Sequence, residues 1–410
     1  MSYLEKLLEG VEVEWKMLGE AIYSLKTGLN PRQNFHLNTH DAQGYYITVR
    51  EIQNGQIVFL DKTDRVNDHA LKLINNRSNL NVGDVLFSGT GTVGRTAVIK
   101  TKPQNWNIKE GVYVIKPNPE ILDSSYLSYL LNTSEIVLDY SKKIVGSPVI
   151  SLPMSELKRL HIPIPPLPVQ KEIVRILDTF TELTAELTAE LTARKKQYNY
   201  YREELFCFDE GKTKYLPLGD TSIGEFTRGG GLQKKDFTDT GVGCIHYGQI
   251  YTYYGTYTNK TKTFVSEEFA KKARKAKYGD LIIATTSEND EDVCKAVAWL
   301  GDEDIAVSSD ACYYTHKLHP KYVAYFFQTE QFQKQKRPYI TGTKVRRVNA
   351  DDLAKIKIPV PSPEEQERIV AILDKFDTLT ASISEGLPKE IELRQKQYEY
   401  YRDMLLTFNR

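Results

Sequence analysis

Between Gln331 and Val348 the chain carries Lys334, Lys336, Arg337, Lys344, Arg346 and Arg347 with no acid among them, and Tyr339, Gly342 and Thr343 interleave. Lysine and arginine hold phosphates, and arginine, asparagine and glutamine read base edges, so this composition suits nucleic acid. Lys271, Lys272, Arg274, Lys275 and Lys277 form a second run. Phe226-Thr227-Arg228-Gly229-Gly230-Gly231-Leu232-Gln233-Lys234-Lys235 is a third, whose glycines let backbone approach a ligand. Tyr247 and Gln249 join the candidates of this half. The first half offers Lys26, Arg32, Arg50, Arg77 and Arg95, with Ser147 beside Gly146 as the counterpart of Thr343 beside Gly342. Any one run also suits a plain solvated face. Their occurrence in both halves is what favours nucleic acid.

Catalytic chemistry is harder to find. Gly89-Thr90-Gly91-Thr92-Val93-Gly94 satisfies G-x-G-x-x-G, but a dinucleotide site needs a helix directly behind the glycines. Arg95–Lys102 reads instead as strand, so a hairpin loop from which Arg95 reaches a phosphate or base edge is the better reading. No G-x-x-x-x-G-K-[ST], no Asn/Asp-Pro-Pro-aromatic motif of adenine-N6 methyltransferases and no H-E-x-x-H occurs. Asp290, Glu291 and Asp292 with Lys295 suit an exposed acidic turn better than a nuclease centre. Cys207, Cys244, Cys294 and Cys312 are scattered without a C-x-x-C pair, as expected of free thiols in a reducing compartment. We therefore expect no catalytic, metal or cofactor site.

Fifty-four basic residues balance 54 acidic ones in 410 residues. That argues against indiscriminate polyanion binding, while a specific binder needs only a basic face. No apolar run is long enough for a membrane span and no secretory signal is visible, so a cytoplasmic location is expected.

What must position these side chains is a duplication. Ile162-Pro163-Ile164-Pro165-Pro166-Leu167-Pro168-Val169-Gln170 returns as Ile358-Pro359-Val360-Pro361-Ser362-Pro363-Glu364-Glu365-Gln366. The same offset pairs Ile173 with Ile369, Leu177 with Leu373 and Phe180 with Phe376. Both copies end alike, at Gln197-Tyr198-Asn199-Tyr200-Tyr201-Arg202 and Gln397-Tyr398-Glu399-Tyr400-Tyr401-Arg402. Behind the first proline run, apolar residues at Val169, Ile173, Ile176, Phe180, Leu183, Leu187 and Leu191 make one stripe of a helix reaching Phe206, roughly 55 Å long. It contains the tandem unit Thr184-Ala185-Glu186-Leu187-Thr188-Ala189-Glu190-Leu191, which suits a length-setting spacer. The second copy has Gly386-Leu387-Pro388 there, and Pro388 is expected to break or kink the helix.

The predicted fold class is α+β: two mixed α/β modules joined by two long antiparallel helices, with a pseudo-two-fold internal repeat. The expected boundaries are an N-terminal segment at 1–11, short and helical and ending at Gly10; a first module at 12–156; a proline–helix segment at 157–212; a second module at 213–352; and a second proline–helix segment at 353–410. Strands are expected at Tyr45–Val49 and Val85–Ser88, a hairpin at Asn54-Gly55, and a helix over Ser124–Leu138.

These features together resemble the specificity subunits of type I restriction-modification systems. The resemblance covers essentially the whole chain. It rests on the proline motif followed by Gln170–Asp178 and again by Gln366–Asp374, on Gly83-Asp84 and Gly279-Asp280, and on the Gln-Tyr-x-Tyr-Tyr-Arg helix ends. The Thr-Ala-Glu-Leu unit looks like that of the type IC branch. The resemblance implies two target recognition domains, each reading one half of a split, asymmetric double-stranded DNA sequence. It implies a helical spacer that recruits two methyltransferase subunits, which carry S-adenosylmethionine, and restriction subunits that use ATP and Mg2+. This subunit itself would hold no cofactor and be non-catalytic. An enzyme with an unrecognised methyltransferase or nuclease site, and a coiled-coil scaffold that binds only proteins, are the competing readings. Methyl transfer by the isolated chain would favour the former, and failure to shift any duplex the latter.

Overall fold

A computed structural model describes residues 7–32, 34–209, 211, 213–382 and 385–408. The chain divides into two compact units, one of residues 1–186 and 392–410, the other of residues 187–391.

In the first unit the central sheet has the strand order Ile22–Thr27, Val112–Pro117, Val85–Ser88, Thr96–Val98, all antiparallel. Val85, Leu86 and Phe87 are buried, as an apolar strand covered on both faces must be. Gly44–Ile47 lies between Arg65–Val66 and Trp106–Ile108 in a smaller sheet, the second pairing parallel. Asn54 and Gly55 take positive φ, as a two-residue hairpin turn requires, and Ile52 faces Ile57 across it. The expected Ser124–Leu138 helix is two helices, Ser124–Leu130 and Ser134–Ser141. Thr133 turns its hydroxyl back onto the Leu130 carbonyl and stands at the N-cap of the second, so a local side-chain bond interrupts a continuous apolar pattern.

The proline motif is itself a strand. His161–Ile164 pairs antiparallel with Glu14–Met17, and Pro163 faces Trp15. A two-stranded ribbon tolerates the missing proline donor. The helix behind it, Leu167–Leu205, runs unbroken for 39 residues and crosses the division between the units. Of the expected N-terminal helix, Leu7 and Leu8 are helical and Gly10 lies in a turn at φ +70°; residues 1–6 lie outside the described residues. Leu7 and Leu8 pack against the core that also holds Ile173, Leu177, Leu405 and Leu406.

The second unit repeats the plan. Gly224–Arg228, Ala311–His316, Leu281–Ala284 and Ala296–Trp299 are ordered like the four strands of the first unit, with Tyr257–Thr258 added in parallel. Lys214–Pro217 pairs with Lys357–Val360, the second proline motif. The accessory sheet is larger here, with five strands against three. The second helical segment is divided into Pro363–Ala381 and Gly386–Leu406. The break is not at Pro388, which lies in the first turn of the later helix, where a missing N–H costs nothing. It comes before Gly386, whose φ is +78° and where a Cβ would meet Thr378 O at 2.3 Å. Ser384 lies outside the described residues.

Candidate nucleic-acid interface

The two modules present one loop in common. In the first, Val145 and Ser151 bridge, and Gly146 at φ +102° leads the exposed tip Ser147-Pro148-Val149-Ile150. In the second, Thr341 and Arg347 bridge, and Gly342 at φ +88° leads Thr343-Lys344-Val345. A Cβ on Gly146 would meet Val149 O at 2.4 Å, and one on Gly342 would meet Val345 O at 2.1 Å. Left-handed backbone and close approach thus demand glycine at both places.

Each tip rests on the loop that follows the second central strand. In the first module that is the Gly89–Gly94 loop: Thr90 bridges Ser151, its Oγ1 lies 3.1 Å from Ser151 Oγ, and Gly91 N donates to Ile150 O. The glycine motif is therefore a shelf inside a hairpin, as Val85–Ser88 pairs directly with Thr96–Val98. In the second module Thr286–Ser287 pairs with Arg346–Arg347. No sequence signal marked these shelves, because the second has no glycine.

Around the first shelf Arg32 lines a cleft with Tyr46, Thr48, Asp64, Thr90 and Glu110. Arg50 Nη2 pairs with Asp64 at 3.1 Å, and Arg77 Nη2 lies 3.6 Å from Glu110. Arg32, Arg50, Arg77 and the Ser147 loop are thereby brought together. Arg95 is exposed, and its guanidinium donates to Val49 O at 3.0 Å. Lys26 stands apart, half-buried on its strand opposite Val114 and close to Asp84. Burial pushes the Asp84 carboxyl up, against the pull of its ion pair with Lys116 and of Lys26.

In the second module Arg228 and Tyr247 converge on residues 307–309. Gly230 bridges Ser308, the Tyr247 N–H donates to Ser308 Oγ at 2.9 Å, and Arg228 Nε reaches toward Ser309 O. Burial, and then the charge of Lys234, hold the His246 imidazole below its usual range, so it is neutral at pH 7. Lys235 is exposed beside Lys234. Gln249 is occupied in capping: its Oε1 accepts the His246 N–H and its Nε2 donates to Thr263 Oγ1. The helix Tyr247–Thr252 continues the face, since Tyr251 OH donates to Thr286 O on the shelf. Arg346 pairs with Asp290 at 2.7 Å, while Lys344 and Arg347 are exposed and have no ion-pair partner among the described residues. The expected basic run loses Lys336, which is fully buried. Its Nζ donates to Glu291 O at 3.1 Å and Val293 O at 2.8 Å.

No group of three or more His, Cys, Asp or Glu able to hold a metal occurs among the described residues. No helix among them is long and apolar enough to cross a membrane.

Two tandem α+β modules of one strand order, each with a tip loop beside cationic side chains, define a DNA-specificity protein. The chain belongs to the type I restriction-modification DNA specificity family, whose domain matches twice, at residues 18–194 and 218–393. It is 34% identical over 418 residues to the EcoR124I/EcoR124II specificity subunit of Escherichia coli, covering 100% of this chain and 97% of that one. It is 30% identical over 430 residues to a putative specificity subunit of Haemophilus influenzae, with 100% and 99% covered. Among solved structures, the fold matches the type I S subunit from M. genitalium at a TM-score of 0.54 and 15% identity over 100% of both chains. A chain from a study of complex assembly and conformational transition of the type I R-M system matches at 0.60 and 16% identity, over 97% and 98%.

Proposed function

We propose that residues 12–156 and 213–352 are target recognition domains that each read one half of a bipartite, asymmetric DNA sequence. The observation that carries this is the shared tip loop. Loops of equal length, each opened by a left-handed glycine (Gly146, Gly342) and closed by a bridge, display Ser147-Pro148-Val149 in one module and Thr343-Lys344-Val345 in the other. A common scaffold with different side chains is what two half-sites of different sequence require. Arg32, Arg50 and Arg77 with Ser147 supply the first face. Arg228, Lys234, Lys235, Tyr247, Thr343, Lys344, Arg346 and Arg347 supply the second. Gln249 acts by holding Tyr247 in place, and Lys26 and Arg95 act through the framework.

Residues 157–212 and 353–410, with the 1–11 segment, form the spacer. Within the first unit Phe180 stacks on Tyr401 at 5.3 Å, while the earlier Ile173 and Leu177 share a core with the later Leu405 and Leu406. Within the second, Tyr201 stacks on Phe376 at 5.5 Å, and the later Phe206 shares a core with the earlier Ile369 and Leu373. Opposite senses of travel support an antiparallel pairing. Tyr200 and Tyr400 are 62% and 65% exposed on the helix ends, aromatic surface of the kind that protein interfaces use. Two methyltransferase subunits dock there, bringing S-adenosylmethionine and adenine-N6 chemistry, and restriction subunits add ATP- and Mg2+-dependent cleavage. The complex works in the cytoplasm, and the Thr-Ala-Glu-Leu repeat supports a kinship with the type IC branch.

Mapping methylated adenines in cells that carry this chain with its methyltransferase tests the reading. A split motif with a fixed gap is expected. Methylation by the isolated chain, or the absence of any sequence motif, would overturn it.

A further inference from the structure

The second face carries its own competitor for DNA. Arg346 stands opposite Ser287 in a two-stranded ribbon, and the chain runs on from Ser287 into Glu288-Asn289-Asp290-Glu291-Asp292, all five exposed. Asp290 Oδ1 accepts from the Arg346 Nε–H at 2.7 Å with the two side chains 56% and 33% exposed, and the Arg346 guanidinium also donates to Gly342 O. The acid is not free to drift away. The buried Lys336 ammonium clamps the carbonyls of Glu291 and Val293, and the Asn289 side chain spans the turn by donating to Asp292 and accepting its N–H. Resting on the DNA-reading function proposed above, we propose that Asp290 is a specificity-determining residue. It holds Arg346 against the Gly342 tip and sets a carboxylate where a phosphate must come.

The physics follows from the geometry. Arg346 reaches DNA only by exchanging a carboxylate for a phosphate or a base edge. On a random duplex the gain is one phosphate contact, and the fixed Asp290 charge opposes it. On the right half-site the base edges engaged by the neighbouring tip residues supply the remaining free energy, so the exchange goes forward. The acid therefore weakens non-specific association more than specific association, which raises the ratio between them. The first face shows the same arrangement in Arg50 with Asp64 and Arg77 with Glu110, acids that line one cleft with Arg32.

The test uses the full chain assembled with its methyltransferase subunits, the duplex identified by methylated-adenine mapping, and a random duplex of equal length. In Asp290→Asn the affinity for the random duplex is expected to rise roughly two- to fivefold, the size of a half-exposed ion pair. The dependence of log affinity on log salt for that duplex should steepen by about one, as one more phosphate is neutralised. Tolerance of mismatches should grow in the half-site read by residues 213–352 and stay unchanged in the other. Asp290→Glu, which keeps the charge, should behave as wild type, separating the electrostatic role from a fold defect. Random-duplex affinity and salt slope unchanged in Asp290→Asn would sink the latch while leaving DNA reading intact. A wild-type complex that prefers no duplex would overturn both.

Discussion

The side-chain carbonyl of Gln170 accepts the Asp123 backbone N–H at 2.8 Å, while its amide donates to Pro165 O and Ile121 O, each at 2.7 Å. One buried glutamine thus ties the proline motif to the start of the helix Ser124–Leu130. Gln366 repeats this in the second unit, accepting from His319 N at 2.9 Å and donating to Pro361 O at 3.0 Å. Gln170→Ala or Gln366→Ala leaves buried backbone groups without partners, at about 1–3 kcal/mol for each group orphaned. Denaturant unfolding of each variant should show lost stability of that order. A loss below about 0.5 kcal/mol would mean that water replaces the glutamine.

Acid should weaken the second unit through His316. Burial pushes its imidazole down to about 4, and Nδ1 lies 3.2 Å from the Leu318 carbonyl. The unfolded histidine titrates near 6.5. Between those values the unfolded chain takes up a proton that the folded chain refuses. The contribution is present in full above pH 6.5, is lost as pH falls, and levels off near pH 4, amounting to at most about 3 kcal/mol. Comparing urea midpoints of wild type and His316→Gln across this window isolates it from the carboxylates. Parallel pH profiles would rule it out.

Gly146→Ala and Gly342→Ala test the shared tip loop. Each forces a side chain into left-handed backbone and against a carbonyl, costing about 1–3 kcal/mol locally. In methylation mapping, Gly342→Ala should weaken recognition of one half-site and Gly146→Ala of the other. Equal loss at both half-sites from either variant would show that the loops do not act separately.

Deleting Thr184–Leu187 shortens the Leu167–Leu205 helix by one repeat unit, about 6 Å. Against about 3.4 Å per base pair, the gap in the mapped motif should shrink by about one to two base pairs with both half-sites kept. Altered half-sites with an unaltered gap would show that the helix is no ruler.

How much was legible in the sequence follows from how local each cause is. The Asn54-Gly55 hairpin and the unbroken 39-residue helix rest on turn chemistry and periodicity, which neighbouring residues alone specify. The duplication was visible because both proline motifs meet the same demands in pairing with Glu14–Met17 and Lys214–Pro217. Lys336 could not be read, since its burial depends on carbonyls more than 40 residues earlier in the chain. Nor could the hydrogen bonds of Arg95, whose acceptors at Val49 and Ile52 belong to another strand–turn segment. Pairing of Arg50, Arg77 and Arg346 with acids is likewise a tertiary fact. A count of basic residues overstates the free positive charge wherever such partners exist.

The first unit draws on both ends of the chain: residues 1–186 need 392–410, and Leu405 and Leu406 are buried in its core beside Ile173 and Leu177. On the ribosome, residues 187–391 are therefore made before the first unit can be completed. Until the final helix emerges, Ile173 and Leu177 lack their cover, while residues 187–391 already hold everything their own core requires. A chain cut short after residue 391 would carry a complete second reader and an open first one, so loss of 19 residues at one end disables the module at the other.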